Sequence, residues 1–137
     1  MLERLARHGL LERALVCSTE PPSLRELRRL APGVRTGLVP RRPTGCRAGW
    51  LRPPSVRHGR HRAALPYRIA GLVEGAQASA AMLYHRVVTP AVVRRCRARG
   101  IAVYAWTVDD PGELARVVAA GVDGVISNDP RIFAALP

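Results

Sequence analysis

Polar and apolar positions along this chain alternate with two different periods, and the switches between them mark out a series of short elements. Leu2, Leu5, Leu10 and Leu11 fall near helical spacing, with Glu3, Arg4 and Arg7 between them, so the chain opens in an amphipathic helix. Arg13 to Ser18 is a short, mostly apolar run that predicts a buried strand. Pro21-Pro22-Ser23 leads into a helix over Leu24 to Leu30, which Pro32-Gly33 stops, and Val34 to Val39 predicts the next strand.

Regularity is lost from Pro40 to about Arg68, where Pro, Gly, Arg and His interrupt every window. That composition predicts a long loop or disordered segment. Beyond it, Leu72 to Ser79 predicts a short helix and Ala81 to Tyr84 a strand. Thr89-Pro90 is a strong helix start, because Thr caps while Pro occupies the first helical position; this helix runs to Arg99 and stops at Gly100. Ile101 to Val108 is the clearest strand, free of charge and rich in β-branched and aromatic residues, as expected of a strand covered on both faces. Asp110-Pro111-Gly112-Glu113 has the form of a capping box and opens a helix to Ala120, ended by Gly121. Val122 to Ser127 is the last strand, and Asn128-Asp129-Pro130 starts a terminal helix ending near Leu136, with Asp129 as its cap.

Strands and helices joined in alternation by short links specify parallel β/α units. The 137 residues are fewer than the roughly 250 that a complete eight-stranded α/β barrel needs. In such architectures the site lies beyond the carboxyl ends of the strands. That rule selects Ser18 to Glu20, Tyr84-His85-Arg86, Trp106 to Asp109, and Ser127 to Asp129. Alternation along the best strand puts Tyr104, Trp106 and Val108 on one side and Val103, Ala105 and Thr107 on the other. Trp106 is then either a pocket wall or part of the core, and spacing alone favours the core.

Charge changes the picture in one region. The basic residues number 22 and all are Arg, against 10 acids, giving a net charge of +12. Residues 40–73 carry 8 of those Arg and no acid, so two thirds of the excess sits in a quarter of the chain. With Trp50 and Tyr67, this segment could grip phosphates and stack on bases. A basic run is a weak signal, however, and the favoured account is an aberrant replacement of a loop and helix, such as a frame change in GC-rich DNA would give. The three cysteines, Cys17, Cys46 and Cys96, form no CxxC pair and are odd in number, which argues against a disulfide framework and for a reduced, cytoplasmic setting. No apolar run reaches the roughly 18 residues of a membrane helix.

Three stretches carry a family resemblance. Ile101 to Pro130, IAVYAWTVDDPGELARVVAAGVDGVISNDP, resembles the last two β/α units of the glycerophosphodiester phosphodiesterase family, with its Trp-Thr-Val strand, Gly-Val-Asp-Gly strand and Asp-Pro turn. Ala14 to Val39 is similar to the family's strand ending in Ser-Phe with its helix, and Leu72 to Gly100 to the unit before the Trp strand. The resemblance implies an α/β fold: a partial (β/α)8 TIM-type barrel, its C-terminal half, with about five parallel strands. Residues 1–137 then form a single partial domain with residues 40–73 as an irregular insert.

The activity implied is hydrolysis of glycerophosphodiesters to an alcohol and glycerol 3-phosphate, with a divalent cation, Ca²⁺ or Mg²⁺, in the complete domain. The family's acid/base pair and metal cage come from a His-Arg-Gly strand end, a Glu-Asn-Thr loop, an acidic pair, a His-Asp and a further Glu in the first half of the barrel, and none of these motifs occurs here. No catalytic residue and no metal ligand is therefore assigned. Trp106 is carried over as a substrate-lining position, and His85, at a strand end, is the remaining candidate for a phosphate contact. His8, His58 and His61 are expected to be solvated surface residues, Asp110 and Glu113 to cap a helix, and Asp123 to lie away from the site. Asp109 stands where the family often has Asn, and Thr19 where it has Phe. The expectation is a C-terminal fragment of such an enzyme, inactive alone and prone to self-association through exposed sheet edges. The alternative is a small cationic protein that binds nucleic acid or anionic lipid through residues 40–73.

Overall fold

A computed structural model describes residues 1–40 and 68–135. The expected composition-driven disorder of 40–73 falls mostly on residues outside the described ones. Its last six residues, 68–73, are helical, and Ile69, Ala70 and Val73 within them are buried in the core. The helix α3 spans residues 68–75, four residues ahead of the expected Leu72 to Ser79. Gln77, at φ 54°, turns the chain out of the helix. Ser79 is instead tied to the neighbouring strand, its Oγ accepting from Thr36 N at 3.1 Å and donating to Thr36 O at 3.0 Å.

The remaining elements follow the predicted order. Helix α1 (Leu2–Arg7) stops short of the expected Leu11 because Gly9 takes a left-handed conformation, φ 64°, that breaks the pattern, and α1 buries none of its residues. Strand β1 (Leu15–Ser18) leads to α2 (Pro21–Leu30), which opens on the prolines themselves and buries Leu24 and Leu27. Then come β2 (Arg35–Leu38), α3, β3 (Ala80–Tyr84), a 3₁₀ turn (His85–Val87) and α4 (Pro90–Arg97). Thr89 caps α4 as expected, its Oγ1 accepting from Val92 N at 3.3 Å. Strand β4 (Ala102–Trp106) and β5 (Gly124–Val125) are both shorter than predicted, and α5 (Pro111–Ala119) lies between them. The expected terminal helix is present as a 3₁₀ helix, Pro130–Ala135.

All neighbouring strands pair in parallel, in the order β1-β2-β3-β4-β5. Parallel strands need crossovers, and α2, α3, α4 and α5 supply them. The register fixes two faces. On one, Leu38, Ala81, Leu83, Val103 and Ala105 pack with Leu24, Ile69, Val73, Val92, Val93, Leu114 and Val117 of the helices in one core. The other carries Cys17, Gly37, Met82, Tyr104, Gly124 and, at the carboxyl end, Tyr84 and Trp106. Large side chains on this face lie over glycines of adjacent strands. A Cβ at Gly37 would stand 2.8 Å from Met82 Cγ, and one at Gly124 2.6 Å from Tyr104 Cδ1.

Candidate functional site

The carboxyl ends of the five strands bring together the residues singled out from sequence, but on different sides of the sheet. Tyr84 and Trp106 are paired in register across β3 and β4, with ring centroids 5.8 Å apart and planes inclined by 58°. Both are half-buried. Trp106 thus stands on the face opposite the helix-packed core. Val108 was grouped with it by alternation and is instead fully buried among the core residues with Val103 and Ala105. The strand ends at Trp106, so the two-residue period does not extend beyond it. Ser18 lies on the helix side, where its Oγ accepts from Glu20 N at 3.0 Å and shapes the entrance to α2.

His85 is buried, 9% exposed, in a network that sequence reasoning did not foresee. Its Nδ1 lies 2.8 Å from Glu113 Oε2. Arg116 donates to that same oxygen through Nη2 at 2.7 Å and Nε at 3.1 Å. The guanidinium also donates to the backbone carbonyls of His85 at 2.8 Å and Val88 at 3.1 Å. The Arg116 hydrogen bond, partly opposed by burial and helped by His85, holds the Glu113 carboxyl below its ordinary value. The Asp110-to-Glu113 pattern predicts a capping box. Only one half forms: Asp110 Oδ1 accepts from Glu113 N at 2.9 Å, while the Glu113 side chain turns to Arg116 and His85. The (i, i+3) spacing of Glu113 and Arg116 was the available signal.

The other rim carboxylates are also engaged. Asp109 accepts from Asn128 N at 2.8 Å, Asn128 Nδ2 at 2.9 Å and Ser127 Oγ at 3.0 Å, tying the end of β4 to the loop after β5. These bonds, the Asn128 backbone bond first, hold its carboxyl below the ordinary value. Asp129 caps the terminal 3₁₀ helix, as expected of a cap, and bonds both the Arg131 amide and its guanidinium. Asp123 lies at the opposite end of the sheet, accepting from Val103 N at 2.8 Å. A divalent cation needs several oxygen ligands converging on one point. Among the described residues no group of three His, Cys, Asp or Glu side chains converges in this way, so the donor set present does not fit such an ion. No described helix is long and apolar enough to cross a membrane.

Parallel β/α units in sequential order, with an aromatic pair at the carboxyl rim, define part of a barrel of the TIM type. Residues 1–132 match the glycerophosphoryl diester phosphodiesterase family, and the chain belongs to that family. It is 25% identical over 131 residues to a glycerophosphodiester phosphodiesterase of Caldanaerobacter subterraneus subsp. tengcongensis, an alignment covering 96% of this chain and 45% of the relative. Over 54 residues, 39% of this chain and 16% of the relative, it is 43% identical to the Arabidopsis thaliana glycerophosphodiester phosphodiesterase GDPD4. A Silicibacter pomeroyi DSS-3 crystal structure bearing the family's name superposes with a TM-score of 0.71 at 27% identity, over 96% of this chain and 39% of its own. The chain therefore spans less than half the length of these relatives.

Proposed function

We propose that this chain forms the C-terminal wall of a barrel that hydrolyses glycerophosphodiesters to an alcohol and glycerol 3-phosphate, with Trp106 lining the substrate site and His85 beside it. The supporting observation is the half-buried Tyr84–Trp106 pair on the face opposite the core, at the strand ends where barrel enzymes bind substrate. An indole presents a flat apolar surface suited to the carbon side of a glycerol moiety. Asp109, Asp110, Glu113 and Asp129 at the rim are bound to Asn128, the α5 amides, Arg116 and Arg131 respectively, which leaves them poor candidates for acid/base work. General acid/base help alone contributes about 10²–10⁴-fold in rate, so the chain by itself is expected not to turn over.

The edges of the sheet support a second part of this reading, self-association. Among the described residues strand β1 pairs on one side only, and beside it α1, α2 and β1 enclose an open groove of about 650 Å³ where Met1, Leu2, Val16, Leu24, Leu27 and Leu30 are rimmed by Glu3, Ser18, Ser23 and Glu26. Unpaired edges and apolar grooves favour pairing with another chain.

The test is hydrolysis of glycerophosphocholine by the purified chain with Ca²⁺ or Mg²⁺, alone and co-expressed with the first half of a relative's barrel. No turnover alone and restored turnover on complementation are expected. Trp106→Ala is expected to lower the restored kcat/KM by about tenfold, or ~1.4 kcal/mol of transition-state binding. Unaided hydrolysis would overturn the reading, and so would a failure of Trp106→Ala to change the restored rate. Elution as a monomer at all concentrations would refute self-association.

A further inference from the structure

The rim aromatics are joined to the outer helix layer by an unbroken run of contacts. Arg116 on α5 bonds Glu113, Glu113 bonds His85, the His85 ring stands edge-on to Tyr84 with centroids 4.5 Å apart, and Tyr84 meets Trp106 at 5.8 Å. The same Arg116 also holds the carbonyls of His85 and Val88, at the two ends of the 3₁₀ turn that follows β3. One guanidinium thus constrains both the backbone after the strand and, through Glu113, the imidazole.

We propose that Arg116 and Glu113 are positioning residues for the site, a clasp that fixes the turn after β3 and through His85 sets where the Tyr84 and Trp106 rings stand. The role rests on the proposed function insofar as the rim receives substrate. Three features of the geometry point to it. Arg116 donates from Nε and Nη2 to one oxygen of Glu113 while donating to two carbonyls, a set of four bonds that Lys, with three donors on one nitrogen, cannot reproduce. His85 is buried, so its ring has little freedom apart from this network. The Glu113 carboxylate oxygen can only accept, so the 2.8 Å hydrogen bond places a proton on His85 Nδ1 and orients the ring.

The experiment uses the whole chain with Trp50→Phe, which leaves Trp106 as its one tryptophan. Acrylamide quenching of Trp106 is compared in Arg116→Met, Arg116→Lys, Glu113→Gln and a control, Arg29→Ala. The control breaks an exposed (i, i+3) pair with Glu26 on α2, remote from the rim. Loss of a half-buried pair is expected to raise the open population, and with it the quenching constant, about threefold in Arg116→Met. Glu113→Gln is expected to raise it by less, Arg116→Lys to restore it only in part, and Arg29→Ala to leave it unchanged. If Arg116→Met does not fold, Glu113→Gln, close to isosteric, decides. Unchanged quenching in folded variants, or the same rise in the control, overturns the clasp. In the complemented barrel, Arg116→Met is expected to raise KM more than it lowers kcat. An altered Trp106 with an unaltered KM overturns the positioning role. Absence of hydrolysis in the complemented wild type would instead refute the proposed function, while the quenching result still decides the clasp.

Discussion

Gly124 is the position where the barrel-interior face can be probed by a single methyl group. A Cβ there would stand 2.6 Å from both Cδ1 and Cε1 of Tyr104, whereas non-bonded carbons settle at about 3.5–4.0 Å. The ring must therefore move by about an ångström, or β5 must separate from β4. Neither is easy. Cδ1 is close to the Tyr104 backbone and cannot swing away without a change of rotamer, and β5 pairs through only two residues, Gly124 and Val125. Overpacking of this kind costs about 1–3 kcal/mol. For a chain of this size each kcal/mol lowers Tm by roughly 3–5 °C, so Gly124→Ala is expected to melt roughly 5–10 °C below the parent. Unfolding followed by circular dichroism at one fixed low protein concentration, to hold any self-association constant, measures this. In a Tyr104→Ala background the added methyl group meets no ring, and its cost is expected to fall to within about 0.5 kcal/mol of zero. The same substitution at Gly37 meets Met82 Cγ and Sδ at 2.8 Å, the end of an adaptable side chain, and is expected to cost less. Equal stability of Gly124→Ala and the parent, or an undiminished cost without Tyr104, would refute the reasoning.

The other predictions concern caps, acid and thiols. Asp110→Ala removes the acceptor for Glu113 N at 2.9 Å and is expected to cost about 1 kcal/mol, read from the unfolding midpoint. Because the folded Asp109 carboxyl is held below its ordinary value by Asn128, its stabilisation is fully present above that ordinary value and is lost as pH falls from there through the lowered folded value. Asp109→Asn is accordingly expected to flatten the fall in stability between about pH 5 and pH 2 in urea titrations; an unchanged acid limb would discount the Asn128 bonds. Burial, reinforced by the Asp123 charge, pushes the Cys96 thiol up to about 11, while Cys17 is exposed. In a Cys46→Ser variant a thiol reagent is expected to titrate Cys17 quickly in the native protein and Cys96 only after unfolding.

The order of elements was legible because its punctuation is local. Thr89-Pro90 and Asp110-Pro111 start α4 and α5, and Gly100 and Gly121, at φ 67° and 85°, follow their ends. What escaped was set by tertiary contacts. Helix α3 buries Ile69, Ala70 and Val73, with Ala76 just past its end continuing the spacing, but Gly71 and Gly75 dilute that pattern and the basic run before it masks its start. Val108 joins the core because the strand ends at Trp106, a limit that the unbroken apolar run through Val108 conceals. At the site, Trp106 could be placed at a strand end by spacing, but its face could not, since an apolar residue on a two-sided strand is compatible with either. The partners of His85 lie 28 and 31 residues away in sequence, on α5, so nothing near the histidine announces them.

The rim shows why charge counts mislead about chemistry in this chain. Asp109, Glu113 and Asp129 gather at the strand ends, where barrel enzymes keep their acids and metal ligands. Each is nevertheless bound by donors from its own half of the barrel: Asn128 and Ser127, Arg116 and His85, and Arg131. A carboxylate that accepts several hydrogen bonds is stabilised as the anion and resists taking up a proton, so these groups make weak general bases however well they are placed. What they do instead is fix the loops after β3, β4 and β5 relative to one another. On the proposed reading, a rim fixed in this way holds neutral surfaces, Tyr84 and Trp106 foremost, at a set position, and proton transfer and charge stabilisation would fall to side chains that approach from the other side of a barrel mouth.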